Sequence, residues 1–311
     1  MLARLIARIT ALFALLLALP AAAMNPAVAA AAPAPAAPSP PASETRARPA
    51  LWQVADADTT IWLFGTVHAL PPGIDWFHGP VETAFAGSQE LVTEIVTPDA
   101  AQMQGYVVAK AVLPAGQSLR ATMNADQRAR YEAALAAQGL PAGAFDAFEP
   151  WYAAVGLSTL PLSRDGFESA NGVEFALDAR ARALGRTHLA LETAEYQLSL
   201  FDGLPAGTQR VYLDEVVRNL PTMKDQLLQM VDAWKAGDAD RLARLINEDE
   251  DDPVLRETLL VNRNRNWADW IGKRLDRPGT VFLAVGAGHL AGTGSVQDQL
   301  AARGLVVRRV Q

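Results

Sequence analysis

Short runs of apolar and β-branched residues recur along the chain, and longer stretches with a helical period separate them. Runs of this kind, bounded by turn residues, are typical of β-strands. The predicted strands are Leu51–Val54, Thr60–Phe64, Leu91–Val96, Thr187–Leu191, Thr280–Val285 and Leu305–Val310. The first two are predicted to pair as a hairpin, because only a short acidic turn lies between them. The fourth is predicted to be buried, because it is largely apolar.

Between the strands, apolar residues are spaced three or four positions apart, which predicts amphipathic helices. The predicted helices are Pro80–Ser88, Ala125–Gln138, Trp151–Leu160, Val173–Leu184 and Ser295–Arg303, with a further helical region over Ala194–Arg274 that Gly and Pro residues divide. Strands that alternate with helices predict an α/β fold. We therefore expect a central mixed β-sheet flanked by helices, with a helical insertion in the middle of the chain.

Two tetrapeptides of the form GxxH follow two of the predicted strands. Gly65-Thr66-Val67-His68 follows the second strand, and Gly286-Ala287-Gly288-His289 follows the fifth. The chain contains four histidines, so two in matching settings are more informative than two scattered ones. One half of the chain has a GxxH strand before a glutamate strand, and the other half has the reverse order. The fold is therefore predicted to contain two pseudo-symmetric halves with one GxxH motif each.

The ends of strands in such sheets usually form the ligand crevice, so both GxxH histidines are candidate site residues. Glu94 joins them, because a carboxylate within an apolar strand needs a partner. Two imidazoles and one carboxylate can hold a divalent transition ion, and His68, Glu94 and His289 are the predicted metal ligands. Without a metal, the same groups could supply a general base, its orienting carboxylate and an acid. A salt bridge from Glu94 to an arginine is a third interpretation.

Three further residues complete the predicted site. Glu192 directly follows the fourth strand. Arg263 and Asn264 lie in a helical stretch and could hold a substrate carbonyl or carboxylate. The other two histidines are predicted to lie outside the site, His78 in a surface loop and His188 as a structural residue.

The first 49 residues are predicted to lie outside the folded domain, which then covers residues 50–311. Arg4 and Arg8 precede an apolar run and then small residues, a pattern typical of a secretory signal peptide over residues 1–23. Residues 24–49 are mostly Ala, Pro and Ser, which predicts a disordered linker. The apolar run is shorter than the roughly 20 residues that a bilayer-spanning helix needs. We therefore expect a bacterial periplasmic or secreted protein with no stable membrane anchor after signal cleavage.

The composition disfavours several classes of function. The chain has 27 basic and 34 acidic residues and no cysteine. An acidic domain without a basic patch is unsuited to nucleic acid, because phosphate neutralisation dominates such binding. The missing cysteines exclude disulfides, thiolate nucleophiles and thiolate-bound metals. The sequence also lacks the G-x-S-x-G, H-E-x-x-H and Walker motifs. The acidic run 248–252 is predicted to be a solvated loop.

Several motifs together make the sequence resemble the TraB/GumN family, which includes the Tiki-type proteases. The resemblance covers nearly all of residues 51–311. The residues that carry it are Leu63–His68, Glu94, Gly172–Glu174, Leu191–Gln197, Arg263–Asn264 and Val285–Gly292. The family pattern often has Asp at the position of Glu174. The resemblance implies an α/β fold related to erythromycin esterase and to haem-binding ChaN-like proteins.

The resemblance also implies a site built from His68, Glu94 and His289, and Tiki-type members are described as manganese- or cobalt-dependent peptidases. The leading hypothesis is therefore an exported, metal-dependent, peptidase-like hydrolase that acts on a peptide or small-molecule substrate. Manganese or cobalt is the expected metal, and zinc is an alternative.

In this hypothesis a metal-bound water attacks the substrate carbonyl. Glu192 would act as a general base or support the ligands, and Arg263 or Asn264 would stabilise the oxyanion. One alternative is a metal-independent esterase, in which His68 activates water directly. Another is a non-catalytic protein that binds haem or another small ligand. The absence of Tyr and Met from both GxxH segments disfavours haem.

Overall fold

The computed structural model describes residues 45–247 and 253–311. The predicted signal peptide, the linker up to residue 44 and the acidic run 248–252 lie outside the described residues. Residues 45–49, which their composition placed in the linker, are part of the folded structure instead. Strand β1 (Thr45–Arg46) pairs in parallel with β4 (Ile74–Asp75), and Ala47 is buried. The N–H of Ala47 donates to the carbonyl of Asp75 at 2.7 Å, which continues this pairing.

A six-stranded mixed sheet forms the centre of the fold, with the strand order β6-β5-β7-β3-β2-β8. The strands are β2 (Leu51–Ala55), β3 (Thr59–Thr66), β5 (Glu90–Thr93), β6 (Thr187–Ala190), β7 (Gly279–Gly286) and β8 (Val307–Arg309). The four strands from β6 to β3 are parallel, whereas β2 is antiparallel to both of its neighbours. The predicted hairpin and the predicted mixed sheet are therefore confirmed.

The two GxxH strands, β3 and β7, lie side by side in the middle of the sheet. Most of their residues are buried, because other elements cover both faces of the sheet. Strands that are buried on both faces are expected to be almost continuously apolar, as these two are.

Strand β6 differs from its prediction as a buried strand. It lies at the edge of the sheet, and its residues alternate between exposed and half-buried. A short apolar run predicts a strand but does not tell a central position from an edge position. The position follows from pairing with β5, which depends on the whole topology.

Helices fill the connections between the strands. They are α1 (Gly79–Gly87), α2 (Ala100–Ala111), α3 (Ala125–Ala137), α4 (Pro150–Arg164), α5 (Val173–Ala183), α6 (Ala194–Asp202), α7 (Ala206–Asn219), α8 (Met223–Lys235), α9 (Ala239–Asn247), α10 (Pro253–Arg256), α11 (Asn262–Leu275) and α12 (Val296–Ala301). The individually predicted helices are present with shifted ends, and the helical middle of the chain is confirmed. No helix in the described ranges is long and apolar enough to cross a membrane.

Helix α2 was not predicted, although the sequence carries a start signal for it. The side chain of Asp99 accepts from the N–H of Gln102, and the side chain of Gln102 accepts from the N–H of Asp99. This reciprocal capping box satisfies two backbone donors at a helix start and is recognisable from an acidic or hydroxyl residue followed three positions later by Glu or Gln.

The core has one part on each face of the sheet. Phe64 of β3 and Phe282 of β7 belong to the larger part, where their ring centroids are 5.5 Å apart. Their strand neighbours Leu63 and Leu283 belong to the smaller part, with Trp267 of α11. Successive side chains of a strand point to opposite faces, so each strand contributes to both parts. This packing fixes the positions of the strand ends that carry the GxxH motifs.

Candidate functional site

The candidate site lies at the carboxyl ends of the parallel strands. β3 ends at Thr66 and β7 ends at Gly286, and these two residues are directly paired, so both GxxH loops leave the sheet at the same place. β5 pairs with the other side of β7 and ends at Thr93. Glu94 therefore lies directly after the strand and not within it, which corrects the predicted strand Leu91–Val96. The strand order brings two distant histidines and the carboxylate to one edge.

Gly286 marks the point at which the three predicted metal ligands meet. A Cβ atom added at this glycine would lie 3.1 Å from Oε1 of Glu94, 3.6 Å from Cδ2 of His289 and 3.7 Å from Nε2 of His68. The first of these distances is tighter than ordinary van der Waals contact. A glycine at this position therefore leaves room for three functional side chains.

Arg263 lies among these side chains and is fully buried. Its Nη2 donates to Oε2 of Glu94 at 2.6 Å and to Oε2 of Glu192 at 2.8 Å. Its Nε donates to Oε1 of Glu192 at 2.9 Å, so Arg263 and Glu192 form an ion pair with two hydrogen bonds. Burial by itself would lower the pKa of Arg263, but the two carboxylates outweigh burial and raise it. The salt bridge from Glu94 to an arginine, one of the interpretations of the sequence, is therefore present.

Glu94 is ionised although it is buried. Burial by itself would raise its pKa, but Arg263, both GxxH histidines and a backbone donor lower the pKa to about 2. That donor is the N–H of Gly286, which lies 2.7 Å from Oε1. The amide of Gln197 donates to Oε2 of Glu94 at 3.0 Å and to Glu192 at 2.9 Å, and so links the two glutamates.

His289 is a neutral ring with a defined tautomer. Its Nε2 accepts from Nη1 of Arg263 at 3.0 Å, because a guanidinium offers no lone pair. The ring proton is therefore on Nδ1, which donates to Oδ1 of Asn264 at 2.6 Å. Burial, and then the charge of Arg263, lower the pKa of His289 to about 3. The ring also packs on Trp267, with centroids 4.4 Å apart.

His68 has a carboxylate in the place where His289 has an amide. Its Nδ1 lies 2.6 Å from Oε1 of Glu174, and the hydroxyl of Thr66 donates to the same carboxylate. Burial by itself would lower the pKa of His68, but Glu174, and then Glu94, reverse this effect and raise the pKa. The two histidines of matching motifs therefore differ in charge preference.

The N-terminus of helix α5 holds Glu174 against the first GxxH loop. The N–H of Val173 donates to the carbonyl of Val67 at 3.1 Å. A Cβ atom at Gly172 would collide with the carbonyl oxygen of His68, so the close approach requires glycine. Glu174 was not among the predicted site residues. The segment Gly172–Glu174, one of those that carry the family resemblance, was the available indication.

Arg263 and Asn264 open helix α11, directly after a π-helical turn over Glu257–Val261. Such turns are rare and are frequent at functional sites. Nη1 of Arg263 also donates to the carbonyl of Leu259 at 3.2 Å, so the arginine is held by the turn that precedes it. The amide nitrogen of Asn264 donates to a backbone carbonyl before α12 at 2.8 Å. With its oxygen on His289, Asn264 is placed to position that ring.

The cluster is closed to solvent but is not apolar. The exposed fractions are 7% for His68, 3% for Glu94, 0% for Arg263 and 1% for His289. Two shallow pockets lie elsewhere in the described structure, and none of the six predicted site residues lines either of them. The surrounding elements cover these side chains almost completely.

The two remaining histidines lie outside the cluster. His188 joins Oδ1 of Asp178, at 2.9 Å, to the hydroxyl of Thr93, at 2.7 Å, and so links helix α5 to the sheet. This is the structural role that the sequence predicted. His78 precedes α1 and is half-buried, which corrects its prediction as a surface residue.

The side chains, as they are arranged, do not fit a metal ion on the three predicted ligands. The lone pair of His289 that a metal would need accepts from Arg263, and Glu94 accepts from the same guanidinium. The positive charge of Arg263 would also oppose a divalent ion at this position. Among the described residues, no group of three or more His, Cys, Asp or Glu side chains is arranged to hold a metal. Metal dependence therefore stays a prediction.

Comparison with known proteins agrees with the family resemblance. The model of the TraB/PrgY/gumN family matches residues 50–309, which is most of the chain. No curated protein and no solved structure gives a significant match. The matched range includes both GxxH motifs, the glutamates and the arginine of the cluster. The chain therefore belongs to the TraB/PrgY/gumN family.

Proposed function

We propose that the protein is a hydrolase of acyl bonds, of the peptide or ester class, in which His68 is the general base. The observation that carries this proposal is the buried pair of His68 and Glu174 beside the cluster of Glu94 and Arg263. An imidazole backed by a carboxylate on one ring nitrogen, with the other nitrogen turned to a polar site, is suited to activating water.

The proposed step moves one proton at each stage. As a water oxygen attacks the substrate carbonyl carbon, Nε2 of His68 takes a proton from that water. Glu174 accepts a hydrogen bond from Nδ1–H and stabilises the imidazolium that forms. The imidazolium then gives a proton to the leaving amine or alcohol as the bond to the carbonyl carbon breaks. The products are a carboxylic acid and the amine or alcohol.

The other cluster residues have positioning roles in this proposal. Arg263 neutralises Glu94 and Glu192 and keeps His289 in its neutral form. Glu192 accepts from Arg263, Gln197 and Trp267, so it holds the arginine and is less suited to the role of base. This assignment favours the metal-independent alternative over the leading sequence hypothesis. Dependence on manganese, cobalt or zinc stays a prediction, which assays after chelation and with added metal test.

The test is hydrolysis by the purified mature protein of two panels, a peptide library and a set of nitrophenyl esters. Each panel is assayed after exhaustive chelation and again with added Mn²⁺ or Co²⁺. We expect turnover that survives chelation and is lost in His68→Ala. The matched control is His78→Ala, which removes a histidine outside the cluster and should retain full activity. No turnover on either panel, or full activity in His68→Ala, would refute the proposal.

Turnover that appears only with added metal would instead support the metal-dependent hypothesis. In that case the loss should be equally severe in His68→Ala and His289→Ala, because both would be ligands.

A binding role for haem is less consistent with the arrangement. Axial ligation by His289 would require Nε2, which accepts from Arg263, or Nδ1, which donates to Asn264. A haem titration followed by the Soret band is expected to be flat. A Soret shift that disappears in a histidine variant would favour the binding role.

Export remains a proposal from the sequence, because residues 1–44 lie outside the described part. Fractionation of expressing cells should find a shortened chain in the periplasm or the medium. Retention of the uncleaved chain in the cytoplasm would exclude export.

A further inference from the structure

The position of a buried arginine among the predicted metal ligands suggests a specific role for it. We infer that the guanidinium of Arg263 is the built-in cation of this site and takes the place that the family resemblance assigns to a divalent metal. The inference deepens the proposed function at the same site and rests on it. Its consequence is that removing this one side chain should create a metal site.

The first argument is competition for lone pairs. Nη1 of Arg263 lies 3.0 Å from Nε2 of His289, and Nη2 lies 2.6 Å from Oε2 of Glu94. A bound transition ion would need the same nitrogen lone pair at about 2.1 Å. The hydrogen bond and the metal bond at His289 exclude each other. Two of the three predicted ligands are therefore already engaged by one cation.

The second argument is charge. Two carboxylates, Glu94 and Glu192, lie buried against the guanidinium, and buried carboxylates require a positive partner. Arg263 supplies that charge. A divalent ion on the same groups would add positive charge within contact distance of a buried guanidinium, where the repulsion is screened far less than at the surface.

The third argument is that the arginine is held in place from several directions. The carbonyl of Leu259 accepts from Nη1 at 3.2 Å, and the ring of Trp267 lies under the guanidinium at 4.7 Å. The π-helical turn over Glu257–Val261 sets the start of the helix that carries Arg263. Contacts on several sides, with no exposed surface, make the guanidinium a fixed part of the site.

Removing Arg263 changes the balance of the cluster. In Arg263→Ala the two glutamates lose their cation, and Nε2 of His289 loses its donor. Two carboxylates and an imidazole then surround a space of the size of the deleted side chain. This set of oxygen and nitrogen donors suits a divalent transition ion.

Cobalt is the probe, because bound Co²⁺ can be counted by elemental analysis and followed by its visible absorption. Wild type, Arg263→Ala, His289→Ala and the double variant Arg263→Ala/His289→Ala are dialysed against Co²⁺ and then against metal-free buffer. We expect about one ion per chain in Arg263→Ala, and about tenfold less in wild type and in the double variant. Added Co²⁺ should also raise the melting temperature of Arg263→Ala and leave that of wild type unchanged.

The matched control is Arg265→Ala, which removes an exposed arginine two residues further along the same helix. It should resemble wild type in cobalt content. One Co²⁺ per wild-type chain that is lost in His289→Ala would overturn the inference, and so would an Arg263→Ala protein that folds and takes up no cobalt. If Arg263→Ala does not fold, the wild-type and His289→Ala measurements decide the question alone.

These measurements do not depend on turnover. A protein without hydrolase activity can still gain a cobalt site in Arg263→Ala, which would refute the proposed function and keep this inference. If the protein hydrolyses a substrate after chelation and folded Arg263→Ala binds no cobalt, the proposed function is kept and this inference is refuted.

Discussion

The two GxxH loops come from matching sequence settings, yet the structure gives their histidines opposite environments. His68 has Glu174 on its Nδ1, and its pKa is raised above the usual value despite burial, which acts to lower it. His289 has Asn264 on its Nδ1 and Arg263 on its Nε2, and burial together with this positive charge lowers its pKa to about 3. One ring is suited to accept a proton, whereas the other is kept neutral.

The difference shows that a repeated motif fixes where a residue lies and not what it does. Both motifs end parallel, adjacent strands and bring their histidines to the same edge of the sheet. The partner of each ring comes from another element, helix α5 for His68 and helix α11 for His289. The match between the two strands therefore does not extend to the chemistry of their histidines.

The largest expected effect is a difference in kcat/KM between variants of the two histidines. His68→Ala should reduce kcat/KM about 100- to 10,000-fold, the usual contribution of a general base. His289→Ala should cost far less, about tenfold, because a neutral ring bonded to Arg263 cannot act as the base. The measurement is kcat/KM on the best substrate of the two panels, after chelation. Equal losses in both variants would mean that the histidines share one role, as two ligands of a metal would.

The next effect concerns the residue that keeps His289 neutral. Arg263→Ala should lower the free energy of unfolding by about 3–5 kcal/mol, because it leaves two buried carboxylates without a cation. Arg265→Ala, on the exposed side of the same helix, should change it by no more than about 0.5 kcal/mol. Urea unfolding in metal-free buffer measures both. Similar small losses in the two variants would show that the buried ion pair adds no net stability.

The two rings should also affect stability in opposite directions with pH. His289, with a pKa near 3 against 6.5 when unfolded, and Glu94, near 2 against 4.5, both bind protons more readily in the unfolded chain. Stability should therefore fall as the pH falls from 6.5 towards 3, by roughly 3–5 kcal/mol. The raised pKa of His68 has the opposite effect. Its contribution to stability is complete below pH 6.5 and is lost as the pH rises through the pKa of the folded state.

Urea unfolding at a series of pH values follows this dependence. His289→Asn should flatten the acid side of the profile relative to wild type, whereas His68→Gln should flatten only the side above pH 6.5. An unchanged acid slope in His289→Asn would show that other groups account for the acid loss.

The smallest expected effect comes from giving His68 an amide partner, as His289 has, in place of its carboxylate. Glu174→Gln keeps an acceptor near Nδ1 and removes the charge, so the pKa of His68 should fall. The acid limb of kcat/KM should move to lower pH by about one unit, and the maximal rate should fall about tenfold. Glu174→Asp is the matched control, since it keeps the charge with one methylene fewer. An unmoved acid limb in Glu174→Gln would mean that Glu174 holds the loop without tuning the base.

Much of the fold could be predicted from local pattern. Thr60–Phe64 and Thr280–Val285 are apolar runs that read as strands because they are buried on both faces of the sheet. Helices such as α3 and α5 begin and end where their caps and glycines indicate. The errors lie where pattern is ambiguous. Helix α2 was missed because its apolar face is weak. Strand β6 was predicted to be buried, but its exposure depends on its place at the edge of the sheet.

The candidate site could be predicted in part. The matching GxxH settings indicate the two histidines, and the cost of a carboxylate in an apolar strand indicates Glu94, and the three side chains do meet at Gly286. Glu174 was missed because it lies on a helix, where a glutamate in the first turn is ordinarily a favourable end charge. The sequence could not indicate the contacts of Asn264, because its two hydrogen bonds reach His289 and the backbone before α12, both far along the chain.

The sequence alone determined the alternation of strands and helices, the two GxxH loops and the short list of groups able to do chemistry, because these depend on side chains near one another in the chain. Only the tertiary structure decided that a carboxylate backs one histidine and a guanidinium contacts the other. Those contacts join residues far apart in sequence, and proton affinity depends on the charges within a few ångströms of a ring rather than on the motif that carries it.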